Sequence, residues 1–148
     1  MSIEVLGAGK ATLDMLALGA RASDIRPIAE PIRTVVRKSS ESTFDQKPNW
    51  PPLSQDTIER KQRQGIDVRA ERGKTGALYR SLTAPRARGQ IDRREADVLR
   101  FGSKIWYAGF QQGTIFQPRR DLIQLSWIER QIIDRIISRW VSKGGMLP

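Results

Sequence analysis

Apolar positions in the first forty residues repeat at helical spacing. Leu13, Leu16, Ala17 and Ala20 fall on one stripe and predict a helix over Lys10 to Ala22. Ser23 or Asp24 then offers an N-cap oxygen to a second element. Its amphipathic stripe, Ile25, Ile28, Ile32, Val35 and Val36, ends near Ser39 or Ser40. Pro27 fits a first helical turn, whereas Pro31 lies deeper and predicts a kink or a later start. Two antiparallel N-terminal helices are the simplest arrangement.

The pattern then changes. Phe44 to Leu53, FDQKPNWPPL, holds three prolines in ten residues and is expected to be an irregular loop, pinned to the core by Phe44, Trp50 and Leu53. Ser54 caps a short helix with Asp56 and Glu59 early and Arg60, Lys61 and Arg63 late, the order that suits the helix dipole, and Gly65 ends it. Asp67 to Lys74 is a charged connector. Thr75 is placed to cap one more short helix running through Leu82.

Thr83 to Ile91 and Glu95 to Phe101 flank the polar turn Asp92-Arg93-Arg94 and predict a hairpin. Pro85 and Gly89 make its first strand an edge or an irregular one. Ile105 to Ala108 is expected to be buried, and Gln111 to Arg120 to form an extended loop or arm. Asp121 to Leu125 alternates weakly and leads into the clearest element of all. There Ser126 and Glu129 form a capping box. Ile128, Ile132, Ile133, Ile136, Ile137, Trp140 and Val141 make one apolar stripe, and Gly144-Gly145 stops the helix. The expected fold is a single α+β domain over residues 1–148. Its N-terminal helices and C-terminal amphipathic helix pack on a small antiparallel sheet, with the arm projecting. Trp50, Tyr107 and Trp140 are expected in the core.

At 148 residues the chain has room for one conventional core, and by size it buries roughly 70% of its unfolded surface. Charge alters the picture more. The net charge is +10, and it is uneven: residues 1–59 carry 7 basic and 8 acidic groups, while residues 60–104 carry 13 and 5. Arg86, Arg88, Arg93, Arg94 and Arg100 form the centre of this basic stretch. It suits phosphate or carboxylate partners, and equally a solvated face.

Cysteine and histidine are both absent, which removes disulfides, thiolate chemistry, the usual zinc sites and histidine acid–base catalysis. No apolar run approaches the roughly 18 residues of a membrane span. The start, Met1-Ser-Ile-Glu-Val-Leu-Gly-Ala-Gly, lacks the basic region of a signal peptide, so synthesis and assembly in the cytoplasm are expected. Gly7-Ala8-Gly9-Lys10 and Gly73-Lys74-Thr75-Gly76 both fail the phosphate-loop spacing, the second because Val68 stands where the first glycine should be. The carboxylates form no acid pair or metal cluster, and Ser81 and Ser126 have no histidine partner. No enzyme activity, cofactor, metal or membrane is expected. Contact with nucleic acid would be non-specific, along the phosphates. No aromatic is interleaved among Arg86, Arg88, Arg93, Arg94 and Arg100 as a stacking platform would require, which favours an acidic protein neighbour over DNA.

Four segments then occur in a telling order. Phe44 and Lys47-Pro48-Asn49-Trp50-Pro51-Pro52-Leu53-Ser54 precede a helix carrying Thr57 and Lys61. Thr75-Gly76-Ala77-Leu78-Tyr79-Arg80-Ser81-Leu82 follows. Next come Phe101-Gly102-Ser103, Tyr107-Ala108 and Gln111-Gln112-Gly113, and finally Pro118-Arg119-Arg120-Asp121-Leu122-Ile123-Gln124-Leu125-Ser126 before the last helix. Together they resemble the virion-morphogenesis or tail-completion family of Mu-like and related tailed phages. They are similar to its "xPWxPLS" turn, its "LxxTGxLxxS[IL]" segment, its "VG(S/T)…YAxxHQxG" stretch and its "PARPFLGLS" lead-in. Two departures stand out: Gln111 replaces the usual histidine, and Arg119-Arg120-Asp121-Leu122 replaces "ARPF".

The resemblance implies an α+β subunit of the head–tail joining region. It would act as a tail-completion, terminator or neck protein in a closed homo-oligomeric ring, matched to the six-fold tail, with neighbouring neck or tail proteins as partners and the virion as its location. Gly113, the apolar Ile115 and Phe116, and Pro118 make the arm the candidate contact with a neighbouring subunit. Gln111, Gln112, Ile115, Phe116, Arg119 and Arg120 are its candidate residues. A head-morphogenesis factor and a basic nucleic-acid-binding module are the competing readings.

Overall fold

A computed structural model of the protein describes residues 8–46, 50–65, 76–113 and 118–144. Mixed helix and sheet give a small α+β fold, in which helices α1 (Ala8–Ala22), α2 (Ala29–Gln46), α3 (Gln55–Arg63) and α4 (Ala77–Thr83) precede a two-stranded antiparallel hairpin, β1 (Gln90–Arg94) and β2 (Leu99–Ser103). A 3₁₀ turn, Trp106–Gln112, and helix α5 (Trp127–Lys143) complete it. The expected connector 67–74, Thr75 and the segments before residue 8 and after residue 144 lie outside the described residues.

The later start offered for the second helix is what occurs. A 3₁₀ turn, Arg26–Ile28, takes up Pro27, and α2 begins at Ala29, so Pro31 falls in its first turn where a missing N–H is harmless. At the other end α2 runs past Ser40 to Gln46, and Phe44 is helical where a loop was expected. The reason is a polar face that is buried and internally satisfied. Ser40 Oγ donates to Val36 O (2.9 Å), Thr43 Oγ1 to Ser39 O (2.8 Å), and Ser39 Oγ to Gln124 O (2.6 Å). Periodicity counted on apolar residues stops at the first serine, although burial does not.

Phe44, Leu78, Leu82 and Leu122 form the core cluster, with Trp50, Tyr79, Ile105, Tyr107 and Ile123 packed around it. Phe44 meets Trp50 and Tyr79 edge to face, with ring centroids 5.7 and 5.4 Å away. Trp50 Nε1 donates to Asp121 O (3.1 Å), which pins the proline-rich loop to the segment before α5. α4 packs on α2 and on the hairpin, and a buried Ser81 Oγ lies 2.7 Å from Ser103 Oγ. The residue capping α4 is Gly76, at a left-handed φ of 62°.

The hairpin is displaced along the chain from its expected position, most of all in the first strand. Thr83 belongs to α4, and the turn is Glu95 to Val98, closed by Glu95 N donating to Val98 O (2.9 Å). Asp92-Arg93-Arg94, the expected turn, is the end of β1 and pairs with Phe101, Arg100 and Leu99. Helix α5 has the expected capping box at Ser126 and Glu129, and Gly144 ends it in the left-handed conformation. It packs against α1, α2 and the 3₁₀ turn Arg26–Ile28, where the sheet was expected. Its C-terminal half is anchored: Trp140 Nε1 donates to Arg21 O and Asp24 O (3.0 Å each), and Arg21 Nε donates to Val141 O (2.9 Å). Of the long apolar stripe only Ile136 is fully buried. No helix among the described residues is long and apolar enough to cross a membrane.

Gly89 sets the start of the hairpin. Its φ is +82°, its carbonyl accepts from Lys104 N (2.6 Å), and a Cβ there would stand 2.7 Å from Ile105 Cδ1. Gly89→Ala is expected to destabilise the protein by roughly 1–2 kcal/mol, the strain of a left-handed non-glycine residue. Urea denaturation followed by circular dichroism measures it; an unchanged midpoint would contradict this close approach.

Candidate interaction surfaces

The arginines of the basic centre divide into two groups, and α2 makes the division. On the face of β1 turned toward α2, Asp92 and Arg94 join Arg33, Glu30 and Arg37. Arg33, only 7% exposed, pairs through Nη1 with Asp92 and with Glu30 (3.2 Å), and its Nη2 donates to Gln90 Oε1 (2.8 Å). Its guanidinium also lies 5.9 Å from the centroid of Phe101. Arg94 Nη2 donates to Glu30 Oε2 (2.8 Å), and Arg37 Nη1 pairs with Glu30 Oε1 (3.2 Å). Arg94, a candidate for the basic patch, is thus part of an internal clamp between α2 and the hairpin.

The other group faces solvent. Arg93 and Arg100 are direct cross-strand partners, both exposed, and Arg100 makes a long ion pair with Glu95 at 3.9 Å. Arg86 and Arg88 are exposed on the turns between α4 and β1, with Arg86 held at φ 54°. Lys104 is exposed one residue past β2. The structure therefore brings Arg93 and Arg100 together, keeps Arg86 and Arg88 near the base of the same hairpin, and removes Arg94 from the set.

Of the expected arm, residues 111–113 and 118–120 are described, and these two stretches meet. Gln111 and Gln112 close the 3₁₀ turn, and Arg120 N donates to Gln111 O (2.7 Å). Gly113, at φ +94°, comes so near the returning chain that a Cβ would lie 3.2 Å from Arg119 Cβ. Arg119 Nε is bonded to Asp121 Oδ1 (2.7 Å), and Arg120 Nη2 donates to Pro51 O (3.1 Å). These two contacts tie residues 119 and 120 to Asp121 and to the proline-rich segment at Pro51. Ile115 and Phe116 lie outside the described residues. Beside Arg119 an open cleft of about 410 Å³ is lined by Leu82, Phe101, Ser103, Gly109 and Leu122.

Among the described residues, large apolar side chains left in solvent form three further surfaces, which the hydrophobic pattern alone assigns to the core or leaves unmarked. In α1, every residue from Thr12 to Ala20 is exposed, including Leu13, Met15, Leu16 and Leu18. Trp106, expected to be buried, is 79% exposed and meets Tyr107 and Phe110 edge to face. At the start of α5, Trp127, Ile128 and Ile132 are uncovered. One signal was available in the sequence: Met15, Leu18 and Ala22 form a second stripe opposite Leu13, Leu16, Ala17 and Ala20, and a helix apolar on two faces needs cover on both.

Burial pushes the Glu30 carboxyl upward, but the hydrogen bond from Arg94 and the positive fields of Arg33, Arg37 and Arg94 outweigh it and hold the group below the ordinary glutamate value of 4.5. A carboxylate depressed in the folded state stabilises fully above about pH 4.5, and that contribution disappears as pH falls through the folded value. Glu30→Gln is therefore expected to melt below the native protein at pH 7, with the gap narrowing steadily as pH drops under 4.5. Thermal melts across that range check this; a gap that is constant with pH would contradict the clamp. No protein-family model, curated protein or solved structure matches the chain.

Proposed function

We propose that the protein is a structural subunit of the head–tail joining region of a tailed phage, a tail-completion or neck-ring component that works by head-to-tail self-assembly. The observation that carries this reading is α1. It is bound to its own chain through polar contacts of its last turn, Arg21 to Val141 O and Trp140 to Arg21 O, while two opposite apolar faces remain exposed. An isolated helix of about 15 residues is marginal in water, so these faces are surfaces awaiting neighbours.

Two different faces on one helix favour a heterologous contact. Leu13 and Leu16 of one copy meet Met15 and Leu18 of the next, and repetition of that step closes a ring. Residues 1–59, which include α1, are nearly neutral, so copies of a +10 chain can approach there without strong repulsion. The ordered resemblance of four segments to tail-completion proteins supplies the place of action. A head-morphogenesis role is the second reading, and it uses the same assembling subunit.

Light scattering on the purified full chain tests the assembly. The native protein is expected as a closed oligomer. Leu16→Ser and Leu18→Ser each remove one face, and burial of a leucine contributes roughly 1.5–3 kcal/mol. Each variant should therefore associate at least about tenfold more weakly. Mixed together, the two variants should form dimers only, since one intact face of each kind remains. Dimers of either variant alone would mean a symmetric contact and end the ring proposal. In a phage lacking the protein, heads and tails should both form and remain unjoined, as electron microscopy of lysates would reveal. Missing head shells beside normal tails would move the protein to head morphogenesis.

A further inference from the structure

The outer face of the hairpin holds a combination that is unfavourable in the chain by itself. Arg93 and Arg100 stand directly opposite each other in the ladder, and like charges in that position repel. Between this pair and the hairpin base the same face carries Ile91, half-buried, and Gly102, which has no side chain. Lys104 N bonds to Gly89 O, so the pairing continues one step beyond β2. By strand alternation Lys104 falls on the face of Arg100, about 13 Å along at 3.3 Å per residue. The result is a cationic strip with charges at both ends and only the half-buried Ile91 and Gly102 between them. Trp106, 79% exposed, follows two residues after Lys104.

We propose that this strip, Arg93, Arg100 and Lys104, binds the phosphodiester backbone of duplex nucleic acid without reading base sequence. Charge complementarity selects the partner. Glu30 and Asp92 are engaged by Arg33, Arg37 and Arg94 on the opposite face, and Glu95, at the turn end of the hairpin, makes only a long exposed ion pair of 3.9 Å with Arg100. A second copy of this +10 chain is therefore a poor match. A duplex carries one negative charge per about 1.7 Å of its axis, which neutralises two adjacent guanidiniums at once. Arginine also suits two-pronged pairing with phosphate oxygens. The inference stands independently of the phage assignment, because it concerns a face that the α1 contacts do not use.

Fluorescence anisotropy of the full-length protein with two unrelated DNA duplexes of equal length tests it. Both should bind alike, with the logarithm of affinity falling linearly as the logarithm of salt concentration rises. The triple variant Arg93→Gln, Arg100→Gln, Lys104→Gln should lower that slope by about 2.7, at about 0.9 for each phosphate no longer neutralised. Its melting temperature should hold or rise, since a like-charge pair is relieved. Arg93→Lys with Arg100→Lys keeps the charge and should keep the slope. No binding at about 50 mM salt, or a slope unchanged in the triple variant, would overturn the proposal. Tighter binding to an acidic polypeptide of equal charge would reassign the strip to a protein partner. Absence of DNA binding with ring formation intact would remove this inference and leave the assembly reading standing.

Discussion

A buried guanidinium holds the two halves of this fold in register. Arg33 is drawn out of water by α2 and Phe101, and removing a charge from water costs several kcal/mol unless partners replace the solvent. Asp92, Glu30 and Gln90 do so, and two of those three lie on β1. A one-residue slip of the strand would turn Asp92 to the far face and leave Arg33 uncompensated. The clamp therefore selects a single hairpin register. That register in turn puts Arg93 and Arg100 outward.

The same reliance on polar anchors recurs elsewhere. The cluster built on Phe44, Leu78, Leu82 and Leu122 is small. Around it, side chains bonded to distant backbone carbonyls do much of the positioning. Ser39 reaches Gln124, Trp50 reaches Asp121, Arg120 reaches Pro51, and Trp140 reaches Arg21 and Asp24. Each ties a loop or a helix end whose backbone would otherwise be poorly satisfied. They are directional, so they fix geometry where a larger apolar core would merely fill space.

Apolar and charged surfaces are kept apart. α1 and the start of α5 present leucines, isoleucines and a tryptophan with few charges among them, while the hairpin presents arginines. A chain with a strong positive excess repels its own copies, and residues 1–59, with 7 basic and 8 acidic groups, leave α1 free of that repulsion. The proposed ring contact and the proposed phosphate contact are compatible for this reason.

Sequence alone determined the elements with strong local signals. The α5 capping box, its Gly144 stop and the Ser54 cap of α3 all follow from backbone chemistry within a few residues, while Pro31 left a kink and a later start of α2 both open. The α+β class and the basic character of the hairpin were legible in the same way. Tertiary structure decided the rest. Asp92-Arg93-Arg94 has the composition of a turn, and it is strand because Asp92 and Arg94 find opposite charges on α2, more than fifty residues earlier in the chain. Ser39, Ser40 and Thr43 look like a helix end and are buried because their hydroxyls are satisfied. Trp106 and Leu13 have core composition and lie in solvent. Hydrophobicity states what a side chain prefers, whereas burial depends on which neighbours arrive to cover it, and that is settled by packing between distant segments or between chains.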